Sequence, residues 1–325
     1  IVSLASGFAI YLGLVTLLQY ILSKRISKLI PNHKTFRTIY NILLFSSLWT
    51  ASEWLRGVLF TGFPWNPIAT VWVVVPEILS AASYFGIYGL TLLTIISCSS
   101  ISVLKNQGSW GRSLAILSVC QIPLILIFSA GSWQLINTKT TTVPNVVLRL
   151  IQPNIAQEDK WKIELKNQNI FKQIKMSNEK SEHVTHFIWP EAAIPYALNQ
   201  SIQLRQIIAE KMPENKILLT GAPRLENTGN TQKIFNSFFV LNGDGEILTH
   251  YDKTHLVPFG EYNPLESLFL VPGLTGSSFT PGTELKTIKL PLLPEFTPLI
   301  CYEIIFSGQV TKKDSRPEWL LNNTN

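Results

Sequence analysis

Three side chains in the second half of the chain could together carry out acyl transfer. Cys301 follows an apolar run, Glu191 follows a short apolar stretch that ends in proline, and Lys253 follows a strand-like segment. A thiolate attacks acyl groups readily, a carboxylate can accept the thiol proton, and an ammonium can stabilise an oxyanion. Each of these residue types is more often structural or solvated when it occurs alone. The prediction of chemistry therefore depends on their combination.

The elements around these residues would bring them to the ends of strands. Glycine and aspartate at residues 243–245 predict a hairpin turn. The alternation of strand and helix signals predicts an α/β sandwich rather than an all-β domain. Cys301 would then occupy a strand-to-helix elbow, where backbone N–H groups can face an oxyanion. The predicted strands are 146–152, 186–189, 216–221, 236–242 and 246–251, and the predicted helices are 157–180 and 201–211.

The first half of the chain has the composition of a membrane domain. The whole chain is 46% hydrophobic and only 15% charged, and the long apolar runs precede about residue 135. We therefore predict a transmembrane helical domain at 1–135 and a water-exposed domain at 136–325. Glu53 and Arg56 could pair on one face of the second span. The four candidate spans cover approximately residues 1–22, 40–60, 78–104 and 114–133.

Basic residues predict the orientation of these spans. The loop at 24–37 carries five Lys or Arg residues, the loop after the third span carries two, and residues 61–77 carry none. The positive-inside rule places the two basic loops in the cytoplasm and everything after about residue 133 on the opposite side. This topology accounts for much of the net charge of +6, so the charge gives no separate indication of nucleic-acid binding. The aromatic loop at 61–67 is typical of a membrane interface.

Several segments resemble a known family. The order Glu, Lys, Cys, with gaps of 62 residues (253 − 191) and 48 residues (301 − 253), resembles the nitrilase or carbon-nitrogen hydrolase superfamily. The flanking residues are similar to its membrane branch, the apolipoprotein N-acyltransferases. The matching segments are WPEAAIP at 189–195, YDKTHLVPFGEY at 251–262 and ICYEI at 300–304, with EWLRG at 53–57 and FTGFPW at 60–65 in the membrane half.

The resemblance implies a fold and an activity. The fold would be a multi-helix transmembrane bundle followed by a nitrilase-like α-β-β-α sandwich. The enzyme would move a fatty acyl chain from a membrane phospholipid to the N-terminal amine of an S-diacylglyceryl-cysteine apolipoprotein, through a Cys301 thioester. Glu191 would be the general base and Lys253 the oxyanion stabiliser. The resemblance implies no metal and no cofactor, and it places the catalytic domain on the periplasmic side of the bacterial inner membrane. Supporting residues would be Glu261, Tyr302, Glu303 and Trp161.

Two alternatives remain open at this point. A membrane-tethered carbon-nitrogen hydrolase would use the same three residues to cleave amides, and a membrane scaffold or pseudoenzyme would use Cys301 only structurally. Members of the resembled family have further helices before this chain's first residue and further sandwich after its last. We therefore expect a sequence that is truncated at both ends, with the sandwich incomplete at its C-terminus.

Overall fold

The protein folds into two compact units, Ile1–Thr141 and Thr142–Asn325. Sequence analysis places the boundary a few residues earlier, at 135–136. The computed structural model describes residues 2–29, 33–106, 109–139, 141–156, 158–229, 231–263 and 278–325.

The first unit is helical. Among the described residues, three helices are long and apolar enough to cross a membrane: Ser6–Leu29, Ala82–Lys105 and Trp110–Asn137. Pro123 lies inside the last of these. The α-helices are α1 (Val2–Leu29), α2 (Lys34–Val58), α3 (Pro76–Leu79), α4 (Ala82–Ser100), α5 (Val103–Asn106) and α6 (Trp110–Asn137).

The predicted second span, 40–60, overlaps most of α2, which is not among the three apolar helices. Polar and charged side chains interrupt its apolar stretch, and Glu53 is one of them. The buried Glu53 carboxylate accepts hydrogen bonds from the Trp49 indole, the Ile68 backbone N–H and the Thr91 hydroxyl. The Arg56 guanidinium lies 5.5 Å from the centre of the Phe8 ring. Glu53 therefore joins α2 to the segment after the aromatic loop and to α4.

The basic residues that set the predicted orientation lie mostly within helices. The first three of the five in the loop at 24–37 belong to the end of α1, and the other two belong to the start of α2. Residues 30–32 of that loop lie outside the described residues.

The second unit contains two β-sheets and two α-helices. A five-stranded sheet has the order β1-β2-β3-β4-β5, in which the first three strands are parallel and the last three antiparallel. A second sheet has the order β6-β7-β8. The strands are β1 (Leu148–Leu150), β2 (His186–Ile188), β3 (Ile217–Thr228), β4 (Thr231–Leu241), β5 (Ile247–Asp252), β6 (Ile288–Leu290), β7 (Leu293–Ile300) and β8 (Trp319–Asn323), and the helices are α7 (Lys166–Asn178) and α8 (Ile202–Lys211).

The central strands of the first sheet are buried on both faces, and their neighbouring apolar residues point to opposite sides. Phe239 on β4 packs with α7 and α8, whereas Phe238 packs against the second sheet, edge-on to Phe296 of β7. The layers are therefore helices, sheet and sheet, and the predicted α/β class with a helical membrane domain is confirmed. Within the described residues, no α-helix covers the outer face of the second sheet.

The lengths of some elements differ from the prediction. β3 and β4 form a long hairpin that runs to Thr228 and Thr231, well beyond the predicted strands. α7 begins at Lys166, later than the predicted helix start, and residue 157 lies outside the described residues.

Candidate active site

Cys301 stands at a sharp turn directly after a buried strand. β7 ends at Ile300, and Cys301 begins a short 3₁₀ helix, Cys301–Ile305. The backbone φ of Cys301 is +52°, in the left-handed region that non-glycine residues rarely adopt. Strained backbone of this kind is often found at functional sites. The predicted strand-to-helix elbow is therefore confirmed, with a 3₁₀ rather than an α-helical turn.

Glu191 also follows a strand through an unusual turn. β2 ends at Ile188, and Ala192, next to Glu191, has a φ of +47°. This turn lies against Gly221 of β3, where an added Cβ would come 2.7 Å from the Glu191 Cα atom. Only a glycine lets the two backbones approach so closely. The Glu191 Oε1 atom accepts a hydrogen bond of 2.9 Å from the Asn236 side chain.

Lys253 is held by carboxylates in the interior. Its side chain is only 1% exposed, and its Nζ atom lies 3.0 and 2.9 Å from the two oxygens of Glu261. The same Nζ atom lies 3.8 Å from Glu191 Oε1. Asn236 donates to Glu261 as well, at 2.8 Å, so its amide bridges the two carboxylates. Hydrogen bonds and ion pairs thus join four side chains into one cluster: Glu191, Asn236, Lys253 and Glu261.

The loop after β5 is aligned with β4 by backbone hydrogen bonds. Ser237 of β4 pairs with Asp252, and the Lys253 N–H donates to the Asn236 carbonyl at 2.9 Å. This register explains why the side chains of Asn236 and Lys253, which are distant in sequence, belong to one cluster.

Glu303 connects the Cys301 turn to the Lys253 loop. The carboxylate is 3% exposed. Its Oε2 atom accepts from the Ile300 N–H at 2.8 Å, directly before Cys301. Its Oε1 atom accepts from four donors: the Tyr251 hydroxyl, the Thr254 hydroxyl and the backbone N–H groups of Thr254 and His255. We call Glu303 and these donors the Glu303 anchor.

A cleft of about 350 Å³ opens at this place. Cys301 and Glu191 both line it, together with Glu261 and the half-exposed Trp161. Lys253 does not line the cleft, since it is enclosed behind the two carboxylates. The other lining residues are Lys160, Ala192, Pro223, Asn236, Gly260, Phe279 and Asn325.

Tyr302 lies in the interior rather than in the cleft wall. It is buried, and its ring packs edge-on against Phe306 with centroids 5.0 Å apart. Burial raises the pKa of Tyr302 to about 12, with a smaller contribution from Tyr262, so the phenol is protonated at neutral pH. Tyr302 is therefore placed to support the turn after Cys301.

The surroundings of Cys301 disfavour a resting thiolate. Burial raises the pKa of the Cys301 thiol, and the negative charge of Glu191 raises it further. A hydrogen bond with Thr324 and the charge of Lys253 act in the opposite direction, but the net direction is upward. The thiol is therefore protonated at neutral pH, and the neighbouring carboxylate is the group placed to remove its proton.

The structure brings the predicted residues to one site, but it also adds residues that sequence reasoning missed. Asn236 bridges the two carboxylates, Thr324 contacts the thiol, and Lys160 lines the cleft. One signal for Asn236 was available, since it and Ser237 are polar residues between two apolar runs of β4, 234–235 and 238–241. Among the described residues, no group of three or more His, Cys, Asp or Glu side chains is placed to hold a metal ion.

Similarity to known proteins covers both units. Residues 148–317 match the carbon-nitrogen hydrolase family, and residues 1–100 match the apolipoprotein N-acyltransferase N-terminal domain. The chain is 34% identical to the apolipoprotein N-acyltransferase of Rhodopseudomonas palustris, over 98% of this chain and 61% of the relative. It is 33% identical to the enzyme of the same name from Bradyrhizobium diazoefficiens, over 87% of this chain and 56% of the relative.

An amidase structure from Nesterenkonia sp. AN1 is 16% identical, with a TM-score of 0.36 over 57% of this chain and 68% of that one. The chain spans about three fifths of the length of the curated relatives that it matches. The family match covers more than half of the chain, and the resemblance noted in the sequence is confirmed. The chain therefore belongs to the carbon-nitrogen hydrolase family, and its similarity to apolipoprotein N-acyltransferases extends over both of its units.

Proposed function

We propose that the protein is an apolipoprotein N-acyltransferase. It moves a fatty acyl chain from a membrane phospholipid to the N-terminal amine of an S-diacylglyceryl-cysteine apolipoprotein, and Cys301 carries the acyl chain as a thioester. The observation that carries the proposal is one cleft lined by a thiol and a carboxylate, in a chain with three membrane-length helices. The names of the relatives support the same activity.

In the first half-reaction, the phospholipid ester is cleaved. Glu191 accepts the Cys301 thiol proton, and the sulfur attacks the ester carbonyl carbon. The charge of Lys253 favours the oxyanion that forms, and the backbone N–H groups after Cys301 are the candidate donors to it. When the intermediate collapses, the carbon–oxygen bond breaks, and the protonated Glu191 returns its proton to the departing lysophospholipid oxygen. The products are a Cys301 thioester and a lysophospholipid.

In the second half-reaction, the lipoprotein amine attacks the thioester. Glu191 accepts a proton from the attacking nitrogen, an amide bond forms, and the carbon–sulfur bond breaks. The proton held by Glu191 then returns to the Cys301 sulfur, which restores the resting site. Two half-reactions of this kind give ping-pong kinetics. Only residues of the chain and the two substrates enter these steps.

The remaining supporting residues have proposed structural parts in this scheme. Glu261 compensates the charge of Lys253, while Glu303 and Tyr302 hold the turn that presents the sulfur. Trp161, half-exposed at the cleft, is placed to contact the entering lipid. The catalytic unit is proposed to face the periplasm from the bacterial inner membrane, and the distribution of basic residues supports this orientation.

The test is to trap the acyl-enzyme. The full-length protein in detergent is given a phospholipid with a labelled acyl chain, and the protein is analysed for a hydroxylamine-sensitive adduct. We expect the label on the Cys301 peptide and its absence in Cys301→Ala, because a thioester requires the sulfur. Addition of a diacylglyceryl-cysteine peptide should then transfer the label to the peptide amine. No adduct, or an adduct that survives in Cys301→Ala, would contradict the mechanism.

Amide hydrolysis is the second candidate function, and the match of residues 148–317 to the carbon-nitrogen hydrolase family favours it. The same three residues would then form an acyl-enzyme that water releases. The trapping experiment separates the two functions, because a hydrolase discharges its adduct at the same rate whether or not the acceptor peptide is present.

A further inference from the structure

Lys160 is a buried cation that the proposed chemistry does not use. It lies on the loop before α7 and is 8% exposed, yet it lines the cleft together with Cys301 and Glu191. In the part of the chain that the structure describes, no hydrogen bond or ion pair involves its Nζ atom. Lys160 therefore contributes a largely buried lysine to the cleft wall, and no residue of the described part of the chain pairs with it.

The other lysines near the site are paired. Lys253 contacts both oxygens of Glu261 and lies behind the cleft wall. Lys162, two residues after Lys160 on the same loop, is 53% exposed and pairs with Asp159 at 2.6 Å. Lys160 thus differs from both: it is buried like Lys253 but unpaired, and it faces the space that a substrate would occupy.

Because most of the Lys160 side chain is buried, its ammonium at the cleft is only partly solvated, and a bound anion would offset this loss of solvation. Burial lowers the pKa of Lys160, and the charge of Glu191, together with that of Cys301 when it is ionised, only partly opposes this effect. The anion must come with a ligand. Of the two substrates proposed above, the acyl donor always carries a negative charge, on the phosphate next to its glycerol. A lysine ammonium is well suited to such a phosphate as a point charge.

We propose that Lys160 binds the phosphate of the phospholipid acyl donor while the ester carbonyl lies at Cys301. The inference rests on the proposed function and adds to it a determinant of donor selection. A cleft of about 350 Å³ is within the usual range for a small-molecule site, so it could hold the glycerol and phosphate region of a lipid. Lys160 would then distinguish phospholipids from uncharged lipids with the same acyl ester.

The experiment compares two donors with the same labelled acyl chain. One is a phosphatidylethanolamine and the other is the matching diacylglycerol, which has the ester but no phosphate. The rate of Cys301 thioester formation is measured for the full-length protein and for Lys160→Met, and the ratio of the two rates is the readout. We expect the ratio in favour of the phospholipid to fall about 10- to 100-fold in Lys160→Met, as is typical of a lost hydrogen bond to a charged group.

Two further variants act as controls. Lys160→Arg keeps a cation and should keep most of the preference for the phospholipid. Lys162→Met makes the same chemical change on the same loop at an exposed position, and it should leave both rates and their ratio unchanged. Because the readout is a ratio measured on one protein preparation, partial misfolding of a variant changes both rates together and does not produce the expected result.

Three outcomes would contradict the inference, and only the last of them would also overturn the proposed function. An equal loss with both donors in Lys160→Met would assign Lys160 to oxyanion stabilisation or to folding, and would overturn the inference but not the proposed function. Equal rates with the phospholipid and the diacylglycerol in the unsubstituted protein would also overturn the inference but not the proposed function. Absence of any adduct from phospholipid in the unsubstituted protein would overturn the proposed function, and with it this inference.

Discussion

Glu303 and Glu191 are both carboxylates of the Cys301 site, but they are held in opposite ways. Glu303 is buried and accepts hydrogen bonds from five donors, four of them on Oε1. Glu191 lines the cleft, receives one amide hydrogen bond on Oε1, and lies next to the Cys301 thiol. Five donors from the surrounding structure thus occupy the Glu303 carboxylate, whereas the Glu191 carboxylate keeps an acceptor position open towards the cleft.

The difference shows how one fold uses the same residue type for two tasks. Backbone N–H groups from the end of β7 and from the loop after β5 converge on Glu303, so its charge fixes the position of Lys253 relative to the Cys301 turn. Glu191 has an incomplete hydrogen-bond shell and an exposed face, which are the properties of a group that must exchange a proton. Substitution should therefore separate the two residues. A change at Glu191 should mainly slow acylation, and a change at Glu303 should mainly lower thermal stability.

The largest effect is expected from Glu191→Gln. The amide has nearly the same shape and can still accept from Asn236, but it cannot remove the Cys301 proton. We expect thioester formation to slow by about 10²- to 10⁴-fold, the usual contribution of a general base. The Lys253–Glu261 pair remains, so the thermal midpoint should change little. Single-turnover acylation and thermal unfolding of the same preparation measure the two quantities.

The matched control for this change is Glu226→Gln. Glu226 lies on β3 and makes an exposed ion pair with Arg224, so its substitution removes a carboxylate without touching the cleft. Its acylation rate should be that of the unsubstituted protein, since exposed ion pairs contribute little. A Glu191→Gln protein that acylates as fast as this control would exclude Glu191 as the base.

Glu303→Gln is expected to lower thermal stability, and this effect is smaller than the rate loss expected for Glu191→Gln. The substitution removes the negative charge and turns an NH₂ group towards the Ile300 N–H or the Thr254 loop, so at least one buried donor loses its acceptor. Lost hydrogen bonds to a buried charge cost about 2–4 kcal/mol. For a unit of this size, the thermal midpoint should fall by about 5–10 °C. Differential scanning calorimetry of the purified protein measures the shift.

The comparison of Glu303→Gln with Glu191→Gln decides whether the two carboxylates have different roles. If Glu303 is an anchor, the stability loss in Glu303→Gln should exceed that in Glu191→Gln, while the order of the rate losses is reversed. A variant at position 303 that unfolds at the unsubstituted temperature but does not acylate would mean that Glu303 acts in the chemistry and not through the fold.

Much of the second unit is predictable because its buried strands carry local signals. The apolar runs at 186–189 and 216–221 predict β2 and the start of β3, and the turn at 243–245 predicts the β4–β5 hairpin. The outer part of the β3–β4 hairpin has no such signal. Its residues after Pro223 are mostly polar or charged and become exposed towards the turn, so only pairing with β4 makes them a strand.

For the candidate site, the sequence predicts the residue types but not how they come together. Cys301, Glu191 and Lys253 stand out as reactive residue types after strand-like segments, whereas their convergence depends on strand register, which sequence spacing does not determine. Lys160 has no local signal, since it lies in a loop with several charged neighbours and nothing in that stretch marks it as buried. Its burial results from tertiary contacts alone.

The smallest expected effect concerns the Cys301 thiol in the absence of substrate. Burial, followed by the charge of Glu191, raises the thiol pKa, so the thiolate should form only above the ordinary range for cysteine. Alkylation of Cys301 by iodoacetamide should then be slow at pH 7 and should rise up to tenfold per pH unit as the thiolate forms. Mass spectrometry of the Cys301 peptide separates this reaction from those of Cys98 and Cys120.

Glu191→Gln should change this alkylation in the direction opposite to its effect on acylation. Removal of the negative charge next to the sulfur lowers the thiol pKa, so at pH 8 the variant should be alkylated a few-fold faster than the unsubstituted protein. Glu226→Gln should leave the rate unchanged. Slower alkylation in Glu191→Gln would mean that Glu191 activates the thiol in the resting site. Faster alkylation together with lost acylation would show that the carboxylate suppresses the free thiolate and acts as a base only when an ester is present.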